Sequence, residues 1–358
     1  MKDDEEFKPD GGVASNGDDS NGDVSNGDDS NGDATKDESR YGRELMKRVR
    51  SRIDQSSERE EERLIHVVIN PVAGKGQPVL KVLNAALQVA GVEWEVFVTK
   101  SSGDCHNFVK EAVKTGVDQV IVYGGDGTVM EAASALIGTD IPLAIIPGGT
   151  GNVVSAELRI PVNLVKACAL AVDPGAQVKQ VDLGRIGEEH TFLLRAGVGM
   201  EAAMVEGANR ELKDRVGSLA YAISGLQALS DPPVARYRLE LDGKEVVVEG
   251  LTCIVANSGN VGVPGIHLAP NIDISDGLLD VIVVRSADLP GLASLLASVV
   301  GGMDNLENLP HWQAKEIKVE SDPVRTVQVD GEILGQTPFT VRVIPHAVKM
   351  IIPKQAAE

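Results

Sequence analysis

Four short polar loops, each placed directly after an apolar run, hold the residues of this chain that are best suited to bind a phosphate. The most informative loop is Gly124-Gly125-Asp126-Gly127-Thr128, which separates a β-branched run from an alanine-rich stretch typical of a helix. A glycine-rich turn between strand and helix leaves backbone N–H groups open to an anion at the helix N-terminus. The Asp126 carboxylate is suited to Mg²⁺ or to orienting a hydroxyl group. Taken alone, the loop also fits a tight turn with a helix-capping aspartate.

The other three loops repeat this arrangement. Residues 147–152 form a glycine-rich exit from a second apolar run, residues 70–76 follow an earlier run, and residues 99–103 precede another helix-like stretch. The spacing G-x-x-x-x-G-K-[ST] is absent, so Lys75 is not assigned the role of a Walker A lysine. Because ligands bind at the carboxyl edge of open α/β sheets, the four loops together predict a nucleotide or phosphate site at that edge.

The elements that must position these loops are expected in residues 64–175, an N-terminal α/β nucleotide domain built on a parallel sheet. After residue 176, short alternating strands predict a mainly antiparallel second domain that extends to residue 346, with helices near 200–230 and 288–300. Within it, Asp242-Gly243 separates two alternating segments and predicts a hairpin. Residues 347–358 hold a last strand and tail, and this strand is a candidate for pairing back onto the first domain.

The first 40 residues have a different composition. The sequence Ser-Asn-Gly-Asp recurs every five residues from Ser15, and residues 1–40 carry 13 acidic against 4 basic side chains. Such a segment cannot bury enough apolar surface to offset the entropy cost of ordering, so we expect a disordered acidic repeat tail. Residues 41–63 are expected to form a charged linker.

Composition limits the partners and the compartment. A net charge of −19 argues against nucleic acid as a partner. No apolar run reaches the roughly 18 residues that a membrane-spanning helix needs, so no membrane span is expected. The three cysteines, Cys105, Cys168 and Cys253, are widely spaced and odd in number. They favour reduced, buried thiols in a cytoplasmic protein and argue against a zinc site.

In type and order, the motifs resemble those of the diacylglycerol kinase catalytic-domain family, which includes soluble bacterial lipid kinases and the sphingosine and ceramide kinases. The resemblance rests on Asn70-Pro71, Thr99 with Gly103, and residues 124–131, 147–152, 181–184, 196–199, 217–221, 276–280 and 329–332. It covers residues 64–352 and implies an ATP- and Mg²⁺-dependent kinase with a C-terminal β-sandwich domain and an active site between the two domains. Many relatives carry an acidic residue where this chain has Val153, which leaves the substrate class open.

The resemblance and the loops together assign eleven residues to ATP binding: Asn70, Thr99, Gly124, Gly125, Asp126, Gly127, Thr128, Glu131, Gly149, Thr150 and Asn152. The N–H groups of Gly125, Gly127 and Gly149 are expected to cradle phosphates. Thr128 and Thr150 either donate hydroxyl groups to the ligand or cap the helices that follow. For Glu131, two roles beside ATP binding stay open, the fixing of a neighbouring loop and a solvated position.

The turn Asp330-Gly331-Glu332 brings two carboxylates together. Alone it is typical of a hairpin. The resemblance makes Glu332 the expected general base, with Asp126 as the second catalytic residue, and it assigns Asp330 and Asp182 to the water network around a metal ion.

Two further groups are assigned by resemblance or by position. Asp273, Asp276 and the carbonyl group of Leu278 resemble a second, structural Mg²⁺ loop, and their hard oxygen ligands suit that ion. Three basic residues close to the cleft motifs are candidates to pair with ATP phosphates or lipid headgroups, although a solvated helix face fits them equally: Arg210, Lys213 and Arg215.

The sequence therefore predicts a cytoplasmic enzyme that transfers the γ-phosphate of ATP to the hydroxyl group of a diacylglycerol-like lipid during transient contact with the membrane surface. NAD kinase and phosphofructokinase-like kinases remain alternatives, because both share a Gly-Gly-Asp-Gly loop. A non-catalytic nucleotide-binding protein is a further alternative. The second glycine loop and the late Asp-Gly-Glu favour the lipid kinases. The identity of the lipid is left open, and a homodimer is an expectation that the sequence does not decide.

Overall fold

The structure, a computed structural model, describes residues 63–199, 233–260, 267–269, 271–285 and 309–354, together with positions 47 and 288. These residues belong to one compact unit that spans residues 42–358. The acidic tail, almost all of the linker and nearly all of the two predicted helices near 200–230 and 288–300 lie outside the described residues.

The first part of the described chain alternates strands and helices. Four parallel strands lie in the order β2-β1-β3-β4: β1 (Leu64–Ile69), β2 (Glu93–Val98), β3 (Gln119–Gly124) and β4 (Leu143–Pro147). The helices between and after them are α1 (Val79–Ala90), α2 (Asp104–Thr115), α3 (Asp126–Leu136), α4 (Val153–Glu157) and α5 (Leu164–Val172), and a 3₁₀ turn covers Gly74–Gly76.

Alternate residues of these strands face two separate cores. Val120 and Val122 pack with apolar residues of α2 and α3, whereas Ile121 packs with those of α1 and α5. All residues of β3 and β4 are buried. Helices therefore cover both faces of the parallel sheet, which explains why β1, β3 and β4 are largely apolar and buried, whereas the edge strand β2 is not.

The strands of the rest of the described chain pair antiparallel, except where the end of β16 meets β4. One six-stranded sheet has the order β12-β11-β10-β7-β14-β15, formed by β7 (Arg195–Val198), β10 (Thr252–Ala256), β11 (Leu279–Val284), β12 (His311–Ala314), β14 (Thr326–Val329) and β15 (Glu332–Gln336). The remaining strands extend the first sheet: β5 (Gln177–Ile186), β6 (His190–Phe192), β8 (Ala235–Leu241), β9 (Lys244–Gly250), β13 (Glu316–Asp322) and β16 (Phe339–Ile352).

The two sheets share a core in this half of the molecule. Val198 and Val255 of the six-stranded sheet pack with Tyr237 and Ile317 of the extended sheet. A parallel α/β half followed by an antiparallel sandwich confirms the predicted fold class. The hairpin prediction is also confirmed: β8 pairs with β9, and Asp242 and Gly243 both have positive φ, as a tight two-residue turn requires.

Strand β16 joins the two halves. Its first residues pair antiparallel with β13, its length pairs with β5, and Met350 pairs in parallel with Leu143 of β4. A register shift between Ile344 and Val348 interrupts the pairing with β5. The end of β16 therefore lies beside β4, the strand that leads to the second glycine loop.

Candidate active site

A cleft of about 960 Å³ opens at the carboxyl ends of β1, β3 and β4. Seven of the residues predicted to bind ATP line it: Asn70, Gly125, Gly127, Thr128, Gly149, Thr150 and Asn152. Val72 and Val162 also line it, and they are 90% and 69% exposed. We call this space the nucleotide cleft.

The loops of the nucleotide cleft are fitted to one another through glycines. A Cβ atom added to Gly149 would lie 2.7 Å from the Cα atom of Gly125, so these two loops touch where neither has a side chain. Gly74 donates its N–H to the carbonyl of Gly148 at 2.6 Å, and Gly148 donates to the carbonyl of Gly124 at 2.8 Å. Three of the four predicted loops thus form one continuous surface.

One predicted donor of this surface is already occupied. Asn152 has a φ of 47°, and its Oδ1 accepts a hydrogen bond from the N–H of Gly149 at 2.9 Å. Its Nδ2 donates back to the carbonyl of Gly149 at 2.7 Å. The N–H of Gly149 is therefore not a phosphate donor in this conformation, because the asparagine side chain closes the loop on itself.

Asn70 and Thr128 are brought together, whereas Thr99 is not brought to the cleft. The Nδ2 of Asn70 donates to the hydroxyl oxygen of Thr128 at 3.1 Å. Thr128 also covers Gly124, where an added Cβ would lie 2.6 Å from the threonine side chain. Thr99 is buried, its hydroxyl lies 3.5 Å from the carbonyl of Ile69, and it lines neither of the clefts described here.

Asp126 links the first glycine loop to the second. Its Oδ1 accepts a hydrogen bond from the N–H of Val154 at 3.0 Å, in the first turn of α4. Its Oδ2 lies near Gly151, where an added Cβ would approach to 3.1 Å. The carboxylate therefore satisfies a backbone donor of α4 and stands beside the nucleotide cleft, and its role toward Mg²⁺ or a hydroxyl group stays a prediction.

A second cleft, of about 690 Å³, lies between the α/β half and the sandwich and is called here the acceptor cleft. Its walls come from α2, α3, the β5–β6 turn and β15, and they include Lys110, Met130, Glu131, Arg185, Glu188, Glu189, His190, Asp330, Glu332, Ile333 and Leu334. Gly127 lines this cleft and also the nucleotide cleft. The two spaces therefore meet at the first glycine loop.

Asp330 stands on the wall of the acceptor cleft in a rigid turn. It has a φ of 46° and Gly331 a φ of 95°, as in a two-residue hairpin turn. The carboxylate accepts hydrogen bonds from the N–H groups of Leu193 at 3.0 Å, Leu194 at 3.2 Å and Arg195 at 2.9 Å.

The pKa of the Asp330 carboxyl is raised to about 6. Burial is the cause, and it outweighs the backbone hydrogen bonds and the positive charge of Arg195, which act in the opposite direction. Glu332, two residues later, lines the same cleft and is exposed.

Glu131 holds a neighbouring loop in place. Its Oε1 accepts from the N–H of Gly103 at 2.9 Å, and its Oε2 accepts from the N–H of Cys105 at 3.1 Å. These groups lie at the N-terminus of α2, where a carboxylate satisfies backbone donors and favours the helix dipole. Glu131 lines the acceptor cleft and not the nucleotide cleft, so of the roles considered for it the geometry favours loop fixing.

Apart from Asp330, the carboxylates assigned to a metal or to its water network line neither cleft and are largely bonded to the protein. Asp182 is fully buried, and it accepts from the N–H groups of Gly277 and His346, both at 2.6 Å. Asp273 accepts from the ammonium group of Lys179 at 3.1 Å and from Ser275.

The predicted structural Mg²⁺ loop, with Asp273, Asp276 and the carbonyl group of Leu278, can be compared with what that ion needs. Partial burial raises the pKa of Asp276, and the charges of Asp280, Asp273 and Asp182 add to that effect. Such crowding of negative charge suits a cation. However, Lys179 already supplies a positive charge to Asp273, and no group of three His, Cys, Asp or Glu side chains in the described residues could hold a metal ion. The donor set therefore fits Mg²⁺ only in part.

Three predicted contacts cannot be placed, and two residues were missed by the sequence reasoning. Arg210, Lys213 and Arg215 lie outside the described residues. Arg195 and Glu157, in contrast, bond to residues near the candidate site although no motif indicated them. The available signal was the arginine itself, which interrupts the otherwise apolar run 192–198.

The chain matches two family models in succession. Residues 64–186 match the diacylglycerol kinase catalytic domain, and residues 195–352 match the YegS C-terminal NAD kinase beta sandwich-like domain. A diacylglycerol kinase of Mycobacterium tuberculosis is 34% identical over 299 residues, which cover 81% of this chain and 95% of that protein. The chain belongs to the diacylglycerol kinase catalytic domain family.

Other members of the family agree with this assignment. The Escherichia coli protein named "Probable lipid kinase YegS" is 31% identical over 75% of this chain and 89% of its own length. The crystal structure of a diacylglycerol kinase from Bacillus anthracis superposes with a TM-score of 0.71 at 28% identity, covering 83% of this chain and 99% of that one.

Family membership confirms the predicted resemblance and the predicted enzyme class, a phosphotransferase acting on an alcohol group, for which ATP is the implied phosphate donor. In the described parts of the chain, no helix is both long and apolar enough to cross a membrane. All three cysteines are free and buried, and burial raises the pKa of each thiol to about 12.

Proposed function

We propose that this lipid kinase binds ATP in the nucleotide cleft and transfers its γ-phosphate to a diacylglycerol-like alcohol held in the acceptor cleft. The observation that carries the proposal is the position of Gly127, which lines both clefts. A phosphate bound over the first glycine loop would then face the acceptor directly. Phosphoryl transfer depends mainly on such positioning and on charge neutralisation.

The nucleotide is proposed to lie with its phosphates on the first glycine loop. The N–H groups of Gly125 and Gly127, at the N-terminus of α3, would bind phosphate oxygens, and the helix dipole would favour their charge. Thr128 and Thr150 offer hydroxyl groups on the same wall. The Asp126 carboxylate would offer a hard oxygen donor to Mg²⁺, which when bound would supply neutralisation of phosphate charge.

Asp330 is proposed as the general base that takes the proton of the acceptor hydroxyl. Three backbone hydrogen bonds orient its carboxylate at the wall of the acceptor cleft. A pKa of about 6 keeps it ionised at neutral pH and close to the optimum for proton transfer. Glu332, which the sequence favours as the base, lies on the same turn but is exposed, and we propose that it contacts the acceptor instead.

The acceptor is proposed to come from a membrane surface. Ile333 is 73% exposed and lines the acceptor cleft beside Leu334, so the mouth of the cleft offers an apolar contact for an acyl chain. The lining holds more acidic than basic side chains, which favours a neutral alcohol over an anionic headgroup. Five carboxylates, Glu131, Glu188, Glu189, Asp330 and Glu332, stand against Lys110 and Arg185. A homodimer stays a prediction from the sequence.

An ADP-release assay separates the proposal from its alternatives. Purified enzyme is given ATP and Mg²⁺ with diacylglycerol micelles, NAD or fructose 6-phosphate in parallel. Release of ADP that depends on diacylglycerol supports the proposal. Release that depends only on NAD or on the sugar phosphate would replace it, and ATP binding without any turnover would favour the non-catalytic alternative.

A further inference from the structure

Helix α4 connects the phosphate side of the site to the sandwich. At its start, Val154 donates to the carboxylate of Asp126. At its end, the Oε2 of Glu157 accepts hydrogen bonds from the hydroxyl of Ser258 at 2.7 Å and from the N–H of Asn260 at 2.9 Å. Ser258 and Asn260 follow β10, so this five-residue helix reaches from one half of the molecule to the other.

Arg195 continues the connection towards the turn at Asp330 and Gly331, which is called here the base turn. Its side chain is buried, with the residue 8% exposed, and one guanidinium nitrogen donates to the carbonyl oxygen of Asn260. Its backbone N–H donates to the Asp330 carboxylate at 2.9 Å, and its carbonyl accepts from the N–H of Asp330 at 3.0 Å. A shift of the Arg195 backbone would therefore be transmitted directly to Asp330.

The positive charge of Arg195 interacts with carboxylates of the first glycine loop, of α4 and of the base turn. Burial lowers the pKa of its guanidinium group, and the negative charges of Asp330, Glu157 and Asp126 oppose that shift. In the described part of the chain its Nη1 atom is buried without a hydrogen-bond partner. Among the described residues its guanidinium group makes one direct hydrogen bond, so the surrounding carboxylates are needed to offset its buried charge.

From these contacts we infer that Arg195 and Glu157 are positioning residues that hold the base turn at Asp330 in register with the phosphate loop at Asp126. The inference rests on the proposed function. It adds a coupling that the cleft residues alone do not provide: the chain of contacts runs from Asp126 through α4, Glu157, Asn260 and Arg195 to Asp330.

Loss of this coupling would affect turnover more than binding. The base and the phosphate donor lie on different halves of the molecule, and a misplacement of about 1 Å can cost on the order of 100-fold in rate. Neither Arg195 nor Glu157 lines the nucleotide cleft, so ATP binding does not depend on them directly. A lower kcat with an unchanged KM for ATP is the signature of an interaction that matters only in the transition state.

The test compares Arg195→Lys and Glu157→Ala with two controls on the protein surface. Arg342→Lys changes an arginine paired with Glu316, and Glu111→Ala changes a glutamate paired with Lys114, both away from the contact chain. For each variant, kcat, the KM for ATP and the melting temperature are measured with the acceptor that the wild type phosphorylates. If Arg195→Lys does not fold, Glu157→Ala carries the test alone.

We expect each test variant to lower kcat by roughly 10- to 100-fold with the KM for ATP within about threefold of wild type, while both controls keep wild-type values. The double variant should lose about as much as the more impaired single variant, because both act through one chain of contacts. Unchanged kcat with a lower melting temperature, or losses that multiply in the double variant, would overturn the inference. A wild type that phosphorylates no lipid would overturn the proposed function, and the coupling with it.

Discussion

At the scale of single residues, Asp126 and Asp330 are both held by backbone N–H groups, but with different consequences. Asp126 accepts one such bond, from Val154, and it stands at the N-terminus of α3. Asp330 accepts three and is buried enough to have a raised pKa. In the proposed mechanism the first carries charge beside the phosphates of ATP, and the second exchanges a proton with the acceptor.

Asp126→Asn should abolish most of the turnover without unfolding the protein. The amide oxygen can still accept from Val154, so the cap on α4 is kept, whereas the negative charge is lost. We expect a rate loss of about 100-fold or more, equivalent to about 3 kcal/mol of transition-state stabilisation, measured as kcat on a confirmed acceptor. A variant that keeps more than about a tenth of the wild-type rate would show that Asp126 is not part of the site.

The pH dependence of the rate should report Asp330. Its carboxyl must be ionised to act as a base, so kcat/KM should be level above pH 6 and should fall about tenfold per pH unit below it. The raised pKa means that the folded protein binds this proton more tightly than the unfolded chain, whose value is 3.8. As the pH falls through 6 this group therefore stabilises the fold, and acid unfolding at Asp330 is not the cause of the lost rate.

Two amide variants decide between the carboxylates of this turn. Glu332→Gln should keep most of the wild-type kcat/KM and its fall below pH 6. Asp330→Asn should lower kcat/KM roughly 100-fold or more, and the melting temperature is measured for both variants. A large loss in Glu332→Gln alone, with ATP binding intact, would return the role of the base to Glu332.

Sequence reasoning at this scale found residues that a motif marks and missed those that only packing brings together. The glycine loops could be recognised from the sequence, because few residues other than glycine allow the backbones of two loops to approach so closely. The bond between Gly149 and Asn152 depends on a local side-chain rotamer, and the contact of Lys179 with Asp273 joins positions far apart in the chain. Neither follows from a local pattern.

At the scale of elements, local turns were predictable and long-range strand partners were not. The hairpin at Asp242-Gly243 follows from two adjacent residues that accept positive φ. The pairing of β16 with β4, β5 and β13 does not, because a 14-residue strand carries the same alternation whichever neighbours it has. The sequence could propose only that the chain returns to the first domain.

Gly149→Ala should separate the two glycine loops. The added Cβ would lie 2.7 Å from the Cα of Gly125, a backbone atom that cannot move without shifting the phosphate loop. We expect a destabilisation of about 1–3 kcal/mol, with a loss of ATP affinity measured by calorimetry. Gly335→Ala is the matched control, since an added Cβ there meets nothing within 4 Å. Equal ATP affinity and stability in both variants would contradict the close fit of the loops.

At the scale of the whole molecule, the candidate active site lies across two halves whose strands β16 joins in one sheet. The nucleotide cleft belongs to the parallel sheet, and the acceptor cleft is shared with the sandwich. The sequence predicted this division from a change of hydrophobic period. It could not predict that Gly127 lines both clefts, because this follows from how the halves pack.

Removal of residues 1–40 should leave the folded body unchanged. The repeat has no apolar periodicity and carries about half of the net charge of the chain, so its composition predicts no contribution to the core. A chain that starts at Tyr41 should melt at the temperature of the full-length protein and should keep its kcat. A fall of several degrees in the melting temperature would show that the tail packs on the body.

The most direct test of the central claim is the transfer of radiolabel from [γ-³²P]ATP to lipid. The enzyme is incubated with mixed micelles that contain diacylglycerol, monoacylglycerol, a sphingoid base or a polyprenol, with Asp126→Asn in parallel, and the extracted lipids are separated. The account predicts label in the phosphorylated form of a neutral lipid alcohol, diacylglycerol foremost, and at least a 100-fold weaker signal for Asp126→Asn. Label that never enters any lipid, or equal labelling by the two proteins, would contradict it.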